Sequence, residues 1–155
     1  MAKKIVMILL LAVIAVSSLA EKEPSEVWVL CQPDSFVFVR MFPKKGSEEV
    51  GRLELGDMAW TDGKRKRGFL HVWVNGMDGE GWVHSGFISR SKVVRGVKQA
   101  KIVSRGRVRA RRCIKGSRRK WLKNSDVLLV YGHGDDWAVT SEGFIQTKYL
   151  EMEGG

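Results

Sequence analysis

The sequence predicts an all-β protein: two small β-barrels in tandem, following a cleavable leader. Three observations predict this. One pattern of residues occurs twice, every segment in it is short and alternating, and the first twenty residues belong to neither copy.

The leader reads in three parts. Lys3 and Lys4 supply a positive start, residues 5–16 form an uncharged apolar run, and Ser17-Ser18-Leu19-Ala20 puts small residues at Ser18 and Ala20. That is the pattern of a secretory signal peptide over residues 1–20. The apolar run is shorter than the ~20 residues a membrane-spanning helix needs. No other segment is long and apolar enough to span, so the mature chain is expected to carry no transmembrane segment. With no cysteine just after Ala20, a lipid anchor is not expected either. The protein is therefore expected to be secreted or held in the cell envelope, extracellular or periplasmic.

The duplication begins with Phe36-Val37-Phe38-Val39-Arg40, which alternates and ends in arginine, as does Arg107-Val108-Arg109-Ala110-Arg111. Lys45-Gly46-Ser47 follows the first and Lys115-Gly116-Ser117 the second. Leu53-Glu54-Leu55-Gly56-Asp57 then corresponds to Leu122-Lys123-Asn124-Ser125-Asp126. The copies close on Gly81-Trp82-Val83 with Phe87-Ile88, and on Gly143-Phe144-Ile145 with Tyr149-Leu150, at equal spacing. Segments of four to seven residues bounded by Gly, Asp, Asn or Ser read as strands and turns. Asn75-Gly76 is a hairpin signal between strands at residues 70–74 and 81–84. About five strands per copy cannot make two packed sheets, but they can close into a barrel, which removes exposed edges. Trp82 and Phe144, at equivalent positions, are the expected large core fillers.

Together the V-x-V-R run, V-G-x-L-x-x-G-D and G-W-V-H-S-G-F-I resemble a bacterial SH3 (SH3b) domain. The first copy, residues 27–89, is similar in every block; the second, residues 99–151, departs at Asn124-Ser125-Asp126 and Gly143-Phe144-Ile145. The resemblance implies two SH3-like β-barrels, with residues 90–98 a polar, basic linker whose single glycine lets the modules hinge. It also implies recognition of cell-wall peptidoglycan rather than catalysis.

Charge divides the chain. The leader aside, the first half up to Ser89 carries 9 Lys/Arg and 11 Asp/Glu, the remainder 16 and 6. No acidic residue stands between Gly81 and Ser125. A basic second half beside a near-neutral first half points to an anionic partner. Arg105, Arg107, Arg109 and Arg111 recur every two residues, so a strand presents them on one face, with Val108 and Ala110 turned to the core. Candidate ligand-binding residues in the first module are Arg40, Phe42, Trp60, Lys64, Arg65, Lys66, Arg67, Phe69 and Trp73. In the second they are Arg109, Arg111, Trp121, Tyr131 and Trp137. Arginine pairs with phosphate or carboxylate while an aromatic ring stacks on flat faces.

The sequence offers little for chemistry. His71, His84 and His133 are the only histidines, and Cys-His spacing for a metal is absent. No catalytic residue, metal or cofactor is assigned. Cys31 and Cys113 either pair as a disulfide in an oxidising compartment or remain two thiols. Partners follow from charge and export: peptidoglycan or another anionic wall polymer first, a secreted or surface protein second. Nucleic acid is disfavoured by the signal peptide.

Overall fold

The computed structural model describes residues 23–75 and 79–154. The leader, residues 1–20, and the centre of the Asn75-Gly76 turn lie outside the described residues. The first half forms β1 (Ser25–Val29), β2 (Val37–Arg40), β3 (Glu49–Leu53), β4 (Met58–Thr61), β5 (Arg65–Lys66), β6 (Phe69–Trp73), β7 (Glu80–His84) and, after a 3-10 turn at Ser85–Phe87, β8 (Ile88–Ser89). The second forms β9 (Val94–Ile102), β10 (Val108–Arg111), β11 (Arg118–Leu122), β12 (Val127–His133), β13 (Trp137–Thr140), β14 (Gly143–Gln146) and, after a 3-10 turn at Thr147–Tyr149, β15 (Leu150–Met152). The protein is all-β, with two antiparallel sheets ordered β3-β2-β7-β6-β4-β1-β8 and β11-β10-β14-β13-β12-β9-β15; β5 pairs with β6 alone.

Neither sheet closes, which corrects the expectation of closed barrels. No ladder joins β3 to β8 or β11 to β15 among the described residues. The open edges are managed in another way. β8 and β15 are only two and three residues long, and β11 presents Arg118, Arg119 and Lys120. Short strands and charge both discourage pairing with another chain.

The duplication holds bond for bond. Gly56 N–H donates to Val29 O (2.8 Å), and Ser125 N–H donates to Ile102 O (2.8 Å). Leu30 N–H donates to Phe87 O (2.8 Å), and Val103 N–H to Tyr149 O (2.9 Å). Asp57 accepts from Glu54 N–H at 2.7 Å, and Asp126 from Lys123 N–H at 2.8 Å, closing the same turn. That turn needs a left-handed residue: Gly56 has φ 85° and Ser125 φ 70°. The motif's glycine is a backbone requirement, and the second module meets it with a serine.

The expected linker is itself structural. β9 begins at Val94 and pairs with β12 from Val94↔His133 to Lys101↔Val127, so most of residues 90–98 is strand. Gly96, at φ 144°, lies where that ladder shifts register between Val130 and Gly132. It serves a bulge.

Nor are the modules separated by a hinge. Val139 and Phe144 belong to the same buried cluster as Val29, Leu30, Val72 and Val83. The second module adds its own cluster around Ile102, Val130 and Ile145. Four hydrogen bonds stitch the joint: Ile114 N–H to Gly86 O (2.9 Å), Gln32 Nε2 to Thr140 O (3.0 Å), Asp135 N–H to Ser91 Oγ (2.8 Å) and Arg95 Nη1 to Leu55 O (3.1 Å).

The joint separates the two expected core fillers. Phe144 is buried, but between the modules, with its ring edge-on to Phe87 at 5.9 Å. Trp82, its equivalent, is only half-buried, 5.0 Å from the His71 ring. Among the described residues, no second module packs on Trp82 as the first module packs on Phe144. The two cysteines are unpaired and buried, so the disulfide alternative is not the one found. Cys31 Sγ faces Ser35 O (3.9 Å), whereas Cys113 Sγ packs against the backbone of Gly86 and Gly116.

Gly81 and Gly143 occupy one role in the two modules. A Cβ on Gly81 would lie 2.5 Å from Val39 Cγ1 and 2.8 Å from Arg40 O; one on Gly143 would lie 2.7 Å from Arg111 O. The glycines let β7 approach β2 and β14 approach β10. Gly81→Ala and Gly143→Ala should each lower unfolding free energy by about 1–3 kcal/mol, read from denaturant midpoints. Wild-type midpoints in both variants would refute this role.

Candidate functional site

Each module presents a groove between the same elements. In the first, Phe36, Val37, Phe38 and Arg40 from β2 and its approach face His84 and Phe87 at the end of β7, with Lys45, Arg67 and Phe69 completing a cavity of about 420 Å³. In the second, Arg107, Val108, Arg109 and Arg111 face Gln146 and Tyr149, with Trp121 and Trp137 completing one of about 330 Å³. The repeat aligns Phe36 with Arg107, Phe38 with Arg109, Arg40 with Arg111, His84 with Gln146 and Phe87 with Tyr149. The two cavities thus occupy the same place in the repeat.

Their chemistry is exchanged across a strand pair. β2 pairs Phe38 with Arg52, and β10 pairs Arg109 with Trp121, at equivalent registers. In the first module the Arg52 guanidinium lies 4.5 Å from the Phe36 ring and 5.4 Å from Phe38. In the second, Arg107 and Arg109 lie 5.9 and 5.4 Å from the Trp121 ring, and Arg118 approaches it at 5.0 Å. Where the first module sets two phenylalanine rings on β2 and its approach against Arg52 of β3, the second sets Arg107 and Arg109 of the equivalent segment against Trp121 of β11. The stacking attraction survives the exchange.

Each groove carries three cations and no carboxylate among its described lining: Arg40, Lys45 and Arg67 in the first, Arg107, Arg109 and Arg111 in the second. Arg40 is anchored by donating to Ser47 O (2.8 Å) and stacks on Phe38 at 5.0 Å. Arg111 stacks over Trp137 at 5.8 Å. A guanidinium already held over a ring loses less freedom when it pairs with an anion.

The sequence-predicted residues divide. Arg40, Arg67 and Phe69 line the first groove; Arg109, Arg111, Trp121 and Trp137 line the second. Phe69 is buried, a floor rather than an exposed platform. Trp60 and Trp73 are cross-strand partners in a separate recess with Glu23, Pro24 and Asn75. Phe42 is 61% exposed on the β2–β3 loop, which Ser47 Oγ clamps by accepting from Phe42 N–H (3.0 Å) and donating to Phe42 O (3.1 Å). Lys64 is paired with Asp62 (3.5 Å), Lys66 is exposed on β5, and Arg65 lines a cleft between the modules. Tyr131 packs against the inter-module core. Of the four alternating arginines, Arg109 and Arg111 lie on β10; Arg107 precedes the strand yet still reaches the groove, and Arg105 does not. Val108 and Ala110 face the core as expected.

Sequence reasoning missed Phe36, Phe38, Lys45, His84 and Phe87 in one groove and Arg107, Gln146 and Tyr149 in the other. The repeat itself was the available signal, since most of these stand at matched positions in its first and last blocks.

Outside the grooves, His71 is buried with Nδ1 3.0 Å from Asp62 Oδ2 and Nε2 3.3 Å from Glu80 Oε2. Burial opposes ionisation of Asp62, but the Lys64 N–H (3.0 Å) and His71 outweigh it and hold the carboxyl below its ordinary value. Burial, reinforced by Asp57, Glu54 and Asp34, raises the Cys31 thiol to about 11, so it stays protonated at neutral pH. Among the described residues no group of three or more His, Cys, Asp or Glu could hold a metal ion.

His84 marks the first groove. Its ring packs near Phe69 (5.7 Å) and Phe87 (5.5 Å), and Nδ1 accepts from Gly86 N–H at 3.1 Å. Burial lowers its pKa below the ordinary 6.5. A histidine that resists protonation only when folded lets the unfolded chain take up more protons, so stability falls as pH drops through the ordinary histidine range. NMR titration of the ring should give a midpoint below that range, and His84→Gln should flatten the stability slope there. An ordinary midpoint with an unchanged slope would contradict this account.

No protein-family model matches the chain. No curated protein matches it either. Among solved structures it is similar to NlpC1 and NlpC2 from Trichomonas vaginalis, at TM-scores of 0.38 for both and identities of 10% and 9%. The alignments cover 84% and 85% of this chain but 46% and 49% of those, so it spans about half their length.

Proposed function

We propose that this is an exported, non-catalytic binding protein whose two SH3-like modules recognise cell-wall peptidoglycan or another anionic envelope polymer. The observation that carries the reading is the duplicated groove, with three cations and stacked rings at each copy and no carboxylate in either described lining. A polymer with repeating phosphates or carboxylates offers bidentate partners to the arginines and flat sugar or peptide faces to the rings. The basic second module supplies most of the attraction, and the more aromatic first groove supplies contact with apolar or planar parts of the ligand.

Two further features support binding over catalysis. The Cys31 thiol, buried and raised to about 11, is not a nucleophile at neutral pH. His71 has both ring nitrogens beside carboxylates. The secretory signature read at residues 1–20 is what assigns the envelope as the compartment.

Purified wall sacculi should retain the protein at low salt, and high salt should weaken retention as released counterions favour the free polymer. Arg109→Gln with Arg111→Gln should lower retention by roughly 2- to 30-fold, because two solvent-exposed ion pairs are worth about 0.2–1 kcal/mol each. No retention at either salt concentration would overturn wall binding.

A further inference from the structure

The joint between the modules holds a larger cavity than either groove, about 650 Å³, lined by residues of both halves. Three cations reach it from three places: Arg65 from β5, Arg90 from the segment after β8, and Lys115 from the β10–β11 loop. All three are exposed, and among the described residues none stands within 4.0 Å of a carboxylate. Glu26 and Asp136 also line the cleft, leaving one net positive charge. The second groove, by contrast, carries three arginines and no carboxylate in its described lining.

Trp137 lines both the second groove and this cleft. Its ring carries Arg111 at 5.8 Å, and the cleft begins beside it. The cleft's shape depends on the joint: Asp135 N–H donates to Ser91 Oγ, Ser91 N–H donates to Ser89 Oγ, and Ile114 N–H donates to Gly86 O. These bonds hold the β8 end of the first module against two loops of the second, so the three cations converge only in the assembled pair.

We infer that the inter-module cleft is a second anion subsite continuous with the second groove, so that a linear polyanion runs past Trp137 and is held by both modules at once. The inference rests on the polymer-binding reading above and deepens it. The arginine-rich groove anchors the chain, and the weaker, mixed-charge cleft takes its continuation. The cleft therefore selects for chain length: a ligand that fills only the groove never meets Arg65, Arg90 or Lys115. The ligand chemistry is one anion per repeating unit, as phosphodiester or carboxylate, on a backbone with faces that stack on Trp137.

The test compares the full-length mature protein with an Arg65→Gln, Arg90→Gln, Lys115→Gln variant and with a Glu26→Gln, Asp136→Asn variant. Binding is measured to digalacturonate and to a long oligogalacturonate, with glycerol phosphate and long poly(glycerol phosphate) as a parallel pair. All five positions are exposed, and thermal midpoints matching wild type establish that the variants fold. The expected result is that removing the cleft cations weakens the long chain by about tenfold, on the scale of one or two solvated ion pairs, and leaves the short ligand unchanged. Removing the two carboxylates should tighten the long chain severalfold. The pair of probes showing this length dependence identifies the anion. Long-chain binding that is lost in Arg109→Gln but unchanged in the cleft variants overturns the cleft alone. A wild-type protein that binds no chain of either length overturns the polymer reading and the cleft with it.

Discussion

The docking of β13 and β14 onto the first module is the contact on which the rest of the architecture depends. Every residue of β14 from Gly143 to Ile145 is buried. Ile145 faces the second module's own cluster, and Phe144 faces the cluster it shares with Leu30 and Val83. A strand buried on both faces cannot be released without exposing apolar surface, so the modules are held as one body. Two glycines line the joint: a Cβ on Gly134 would meet Ser89 Oγ at 2.5 Å, and one on Gly86 would meet Cys113 Sγ at 2.7 Å.

That joint gives two copies of one fold unequal surroundings. The first module keeps Trp82 half-exposed where the second buries Phe144. The grooves diverged in a comparable way, with Phe36, Phe38 and Arg52 in one replaced by Arg107, Arg109 and Trp121 in the other. Cation and ring changed places, yet the stacking that stiffens the groove wall persisted. The exchange lets a duplicated site change its electrostatics without losing its packing. Both halves keep equivalent backbone hydrogen bonds.

Much of this was legible in the sequence because the motif residues answer to backbone geometry. Gly81 and Gly143 mark close strand approaches, Asp57 and Asp126 close a turn, and Gly56 supplies a positive φ; each answers to the backbone and stands at a matched position in the repeat. The strands at β6 and β7 followed from alternation for the same reason. What was not legible depended on contacts between distant segments. Residues 90–98 read as a linker because they are polar, but β9 is exposed on most positions and earns its place through its ladder to β12. Trp60 and Trp73 looked like ligand platforms by composition, yet cross-strand pairing places them away from the groove. Tyr131 was drawn into the joint, whose existence no single-module pattern signals.

A residue-resolved chemical-shift titration with solubilised wall polymer tests directly whether both modules bind through the equivalent grooves rather than through their other aromatic surfaces. Perturbations are expected at the Trp121 and Trp137 indoles and at Arg107, Arg109 and Arg111, with a weaker set at Phe36, Arg40 and Phe87, while Trp60 and Trp73 stay still. Perturbations centred on Trp60 and Trp73, with the grooves silent, would contradict it.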